Sequence, residues 1–109
     1  MLAGALDRRI QFLRAPMVDD GLSTRPGEFV NLGTPVWGSR KDISDGEKAA
    51  AGSTYGEVSA RFVVRATSFT RTITTKDMLT EGGRRFHILG MKELGRDGVE
   101  FTATTRTDT

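Results

Sequence analysis

The sequence predicts an all-β fold, a small β-barrel of the SH3-like, rolled-sheet kind, and three observations carry that expectation. Residues 57–65, continued by Ala66 and Thr67, alternate: Val58, Ala60, Phe62, Val64 and Ala66 fall on one side, and Ser59, Arg61, Val63, Arg65 and Thr67 on the other. A period of two marks a strand with one face on a core and one face in water. Shorter segments on both sides repeat the rhythm, and glycine turns separate them at short spacing, as in barrels and rolled sheets. Closure of such a sheet also hides edges that would otherwise invite pairing.

The elements follow in order. Leu2 to Leu6 forms an apolar N-terminal arm within residues 1–7, and residues 8–14 form a first strand with Ile10 and Phe12 inward. Residues 15–34 are a long, turn-rich connection through Asp19-Asp20-Gly21, Pro26-Gly27 and Asn31-Leu32-Gly33, with residues 28–31 as a brief edge strand. Connections of that length in small domains are uncommon and are usually either functional or disordered. Residues 36–43 are the second main strand, opened by Pro35, with Trp37 expected in the core beside Phe62 and Phe86.

Next stand Ser44, Asp45, Gly46, Glu47, Lys48, Ala49, Ala50, Ala51 and Gly52. Ser44 with Glu47 is a capping-box pattern, and three Ala ahead of Gly52 read as a short helix with its stop. Gly46 weakens it by roughly 1 kcal/mol relative to Ala. Two turns are marginal in water, so the expectation is a frayed helix or an ordered loop that firms against a partner. After the central strand, residues 68–75 read as a turn into a short ribbon and residues 76–79 as a loop. Glu81-Gly82-Gly83 is a hairpin turn into a strand over residues 84–90 with Phe86 and Ile88 inward. A second glycine turn, Gly95 to Gly98, leads to a last strand facing in through Val99, Phe101 and Ala103. The end, 104–109, is a loose polar tail.

Composition narrows the function. A chain of 109 residues is expected to be one domain, and its small core would gain from burial on a neighbouring subunit. Sixteen basic against fourteen acidic residues is too balanced for a committed nucleic-acid binder. Sparse aromatics outside the core positions also remove the stacking platform of a single-strand-binding barrel. Twelve of the sixteen cations are Arg, which suits bidentate contacts at interfaces. Without Cys there is no disulfide, thiolate metal site or cysteine nucleophile. No basic leader or membrane-length apolar run opens the chain, which points to a cytoplasm-like compartment or something assembled there.

Catalytic chemistry has thin support. His87 is the single histidine, placed on a wet strand face with no second ligand at metal spacing, so no metal and no cofactor is expected. Asp19-Asp20 and Asp42 with Asp45 resemble paired carboxylates, yet each pair lies in turn sequence where Asp serves local hydrogen bonding. Gly82-Gly83 followed by Arg84-Arg85 lacks the strand–loop–helix setting of a phosphate loop and reads as a charged hairpin edge.

The order of landmarks is more telling. Leu2, Gly4, Leu6, Asp7, Arg8, Arg9 and Ile10 come first, then an Asp-Gly loop (Asp20, Gly21) and Val36-Trp37. A Gly46-Glu47 element, the Arg61-Phe62…Arg65 strand, and Phe86 with Ile88 before a polar final strand complete the series. From Leu2 to Ala103 this resembles the head-tail joining, or head-closure, family of tailed bacteriophages and phage-derived gene transfer particles. Two positions depart from the pattern: Gly38 follows Trp37 where Ala is usual, and Phe29 stands where Trp is common.

The resemblance implies a non-enzymatic virion component, a stopper or adaptor-like subunit in a homo-oligomeric ring. Its partners would be a portal or adaptor on the head side and tail proteins on the other, with packaged DNA held without sequence-specific contact and no membrane. It further implies that the loop containing Ser44 to Gly52 faces the ring's channel, and that the 15–34 connection, with Asp19, Asp20 and Gly21, meets a neighbour. Arg61 and Arg65, four apart on one wet face, are candidates for pairing with acidic residues of an adjacent subunit. Alternatives are a tail-terminator or tail-completion protein and a small-barrel nucleic-acid-binding module.

Overall fold

Alternation along the chain becomes inside and outside of a closed barrel. The computed structural model describes residues 6–19, 21–43 and 58–105. In chain order these form β1 (Arg8–Arg14), β2 (Met17–Asp19), β3 (Thr24–Pro26), β4 (Val30–Asp42) and β5 (Ser59–Arg65). A single 3-10 turn (Thr70–Thr72), β6 (Met78–Glu81), β7 (Arg84–Leu94) and β8 (Gly98–Thr104) follow. Six strands close in the order β1-β4-β5-β8-β7-β6, with β6 pairing back onto β1 and every pairing antiparallel.

The inward set is the one the alternation marks. Ala60, Phe62 and Val64 of β5 are fully buried with Phe12, Leu79, Phe86, Phe101 and Ala103. Phe62 meets Phe86 edge-on at 5.0 Å between ring centroids, and Phe12 meets Phe101 at 5.2 Å. Each such ring contributes roughly 2–3 kcal/mol by leaving water.

The strand expected over residues 84–90 runs on to Leu94, and Thr104, expected in the loose tail, is buried at the end of β8. Four further expectations change. Residues 28–31 and 36–43 are not two strands but one, the thirteen-residue β4. A bulge joins them: Ile10 pairs with Val36 and Phe12 with Leu32, so Gln11 alone faces three residues of β4. The Gln11 amide spans the irregularity by donating to the carbonyls of Phe12 (2.8 Å), Leu32 (3.3 Å) and Gly33 (3.2 Å). Gly33 takes a positive φ of 68° there, and Pro35, which has no N–H to lose, lies inside the strand at the bulge.

Residues 15–34 are likewise not a plain loop, because β2 and β3 form a separate two-stranded sheet. Residues 70–72 wind into the 3-10 turn in place of a ribbon. There Thr67 and Thr70 exchange side-chain-to-backbone bonds of 2.8 and 3.0 Å, and the Thr70 hydroxyl donates to the Arg65 carbonyl at 2.8 Å. Local bonds of this kind compete with ladder pairing. Finally, Met78 and Leu79 belong to a strand: β6 is short, but it is paired on both sides, to β1 and β7. The turn after it has φ of 60° at Gly82 and 79° at Gly83, the geometry of a two-residue hairpin that glycine adopts without strain.

Ion pairs close the β1–β6 seam at both ends of β1. Arg14 grips the buried Asp77 with two bonds of 2.9 Å and also donates to the Thr72 carbonyl. Asp77 further accepts the Thr74 backbone N–H at 2.9 Å. At the other end Arg40 reaches the buried Glu81 at 3.3 Å and Asp42 at 2.8 Å, lies 5.6 Å over the Phe86 ring, and is joined on Glu81 by Arg8 at 3.4 Å. Burial raises the Asp77 carboxyl, but the bonds from Arg14 and Thr74 outweigh it and hold the group below its usual range.

Candidate assembly surfaces

The expected core residues divide. Phe62 and Phe86 are fully buried, whereas Trp37 is 53% exposed on the outside of β4 and is no core anchor. The reason is parity along β4. Val36 packs on the core, Gly38 is buried and Arg40 reaches the interior ion pair, so Trp37 between them points out. A Cβ on Gly38 would lie 2.5 Å from Ile10 Cδ1 and 2.8 Å from the Val63 carbonyl oxygen, so the wall closes there only around glycine. Neither parity of residues 36–43 is uniformly apolar, and the sequence alone therefore could not orient Trp37.

Outside, the Trp37 ring carries the Arg9 guanidinium 4.6 Å from its centroid, a cation–π contact between the paired β1 and β4. Beside it, Val36, Trp37, Arg65, Thr67 and Thr70 line an open, mostly apolar hollow of about 250 Å³. Arg61, four residues from Arg65 on the same strand, lies elsewhere. It borders a polar groove of about 470 Å³ with Ser39, Lys41, Val63, Lys92 and Glu100, across the register of β4, β5, β8 and β7. The two arginines therefore share a face of β5 but border different hollows.

The hairpin forms the third feature. Every residue of β2 and β3 is exposed, and Leu22 at the turn is 95% exposed. The Gly21 N–H donates to Asp19 Oδ1 at 2.9 Å, and Gly21 has φ of 87°, so Asp19 and Gly21 shape the turn itself. Asp20 lies outside the described residues, as do Ser44 to Gly52 and the arm ahead of Leu6. The stems of the segment 44–57 are in place: β4 ends at Asp42, β5 starts at Ser59, and the Ile43 N–H donates to the Ser59 carbonyl at 2.9 Å.

Among the described residues no three His, Asp or Glu side chains gather as metal ligands. The outside of the closed barrel thus carries an apolar hollow, a charged groove and a hairpin that, among the described residues, joins no barrel strand. The sequence matches the family model described as phage head completion protein over residues 1–106, and the chain belongs to that family. Among solved structures it is similar to a chain in "Virion of native gene transfer agent (GTA) particle". The TM-score is 0.68 at 27% identity, covering 94% of this chain and 96% of that one. No curated protein matches it.

Proposed function

We propose that this chain is a head-tail connector of the stopper or head-closure kind, located at the head–tail interface of a virion or virus-like particle. Copies form a ring between a portal or adaptor and the tail, help retain packaged DNA and provide the seat for the tail. The observation that carries this reading is a likeness to one virion chain that extends over nearly all of both molecules, with the family match of the same extent. The role needs no catalytic group. What it asks for is a stable wall and outward contacts, and the ion-paired barrel with three outer features supplies both.

Within the ring, the segment Ser44 to Gly52, which joins β4 to β5, is assigned to the channel. Its small residues allow close approach around an axis. Its mixed charges, Lys48 against Asp45 and Glu47, favour holding DNA back or letting it slide over binding it tightly. The test is particle assembly with the gene for this chain deleted and then restored. Heads without it are expected to be tailless and to lose DNA, and electron microscopy of restored particles is expected to place a ring of it at the head–tail joint. Tailed, DNA-filled particles from the deletion would overturn the proposal.

A further inference from the structure

The exposed hairpin and the exposed Trp37 hollow are complementary in chemistry, and they lie on different parts of one chain. Cross-strand partners in a two-stranded ribbon share a face, so Met17, Asp19, Thr24 and Pro26 lie on one side, and Val18 and Arg25 on the other. Val18 Cγ2 packs 2.7 Å from where a Gly27 Cβ would be, turning that second side toward the hairpin's own base. The Met17 side is the more exposed, Met17 at 62% against Val18 at 40%, and it carries an apolar thioether, a proline and a carboxylate and no cation. The hollow offers the converse: an indole and Val36 for apolar contact, flanked by the guanidinium groups of Arg9 and Arg65. Arg65 lies near enough to Asp97 to interact with its carboxylate, and neither Arg9 nor Arg65 takes part in the ion pairs that close the barrel wall.

Physical chemistry gives each half a reason to seek the other. A two-stranded hairpin by itself is at best marginally stable in water, and among the described residues β2 and β3 pair in a sheet only with one another. A methionine sulfur over an aromatic edge and a carboxylate between two arginines are both favourable contacts. We infer that the β2–β3 hairpin of one copy docks through Met17 and Asp19 into the Trp37–Arg9–Arg65 hollow of the next copy. Such a contact joins unlike surfaces of identical chains, and repeats of it close a ring when the rotation allows. One hairpin covers less than a standard interface, so a single contact is weak and the ring depends on many together on a template. This inference rests on the ring reading proposed above and names the interface that builds it.

The chain has no cysteine, which makes cross-linking selective. Particles are assembled with the full-length chain carrying both Thr24→Cys, beside Asp19 on the same hairpin face, and Thr67→Cys, on the rim of the hollow, so that Asp19 and Arg65 are kept; they are treated with a short bismaleimide and resolved by denaturing gel. The expected result is a ladder of two, three and more joined copies, absent from either single variant. If electron density shows a ring but the gel shows only single copies, the inference is overturned. It is equally overturned by a bridge within one copy, or by a bridge to a different particle protein. Particles with no ring of this chain at all would instead refute the reading beneath it, and that outcome is visible before any cross-linker is added.

Discussion

Phe62 and Trp37 are both large aromatics on barrel strands, and the same truncation separates them. Phe62 is fully buried against Phe86, so Phe62→Ala is expected to cost about 3–5 kcal/mol. Trp37 is half in water and contributes mainly its stack with Arg9, so Trp37→Ala is expected to cost about 1 kcal/mol or less. Thermal melting of the two variants checks the contrast, and a Trp37→Ala variant as unstable as Phe62→Ala would contradict the outward placement. Gly38 is the less visible constraint. Gly38→Ala forces Ile10 and the β5 backbone apart and is expected to cost roughly 1–3 kcal/mol, read as a shifted denaturation midpoint.

Asp77 gives the barrel an acid limit. A carboxyl held low in the folded state stabilises the fold above its unfolded pKa, near 3.9, and that contribution is lost as pH falls through the folded value. Melting temperature is therefore expected to drop below about pH 4, and Asp77→Asn is expected to flatten that limb while lowering stability at neutral pH. An unchanged acid limb in the variant would assign the effect to other carboxylates.

At the scale of elements, local signals placed strands wherever apolar alternation was long. β1 and β8 lie close to where alternation puts them, as does β5, whose expected run extends two residues further at each end. Residues 78–81 were not legible, because a four-residue strand exists only through its two neighbours. Nor was the continuity of β4, whose bulge needs the Gln11 side chain from another strand. The segment 44–52 shows the converse, a clear capping pattern in sequence outside the described residues. Replacing residues 45–52 with a short Gly-Ser linker is expected to leave a folded, ring-competent subunit whose particles leak DNA, because the β4 and β5 stems are bonded independently at Ile43 and Ser59. DNA retained per tailed particle is the measurement, and retention equal to wild type would return the segment to a connecting role.

For the whole molecule, the small core and balanced charge lead to the expectation that the isolated chain is a monomer or weak oligomer. Light scattering at micromolar concentration checks this, and a stable ring of pure protein would contradict it. The sequence by itself determined the fold class and the strand faces of β5 and β8, which depend on residue type repeated at a local period, and the family likeness, which depends on the order of landmarks along the chain. Only the tertiary structure decided where Trp37 points, that residues 17–26 stand out as a hairpin, and that Arg61 and Arg65 border different hollows. Those outcomes depend on register, bulges and the few ångströms between Gly38 and Ile10. They are properties of strands brought together from distant parts of the chain, and no local pattern encodes them.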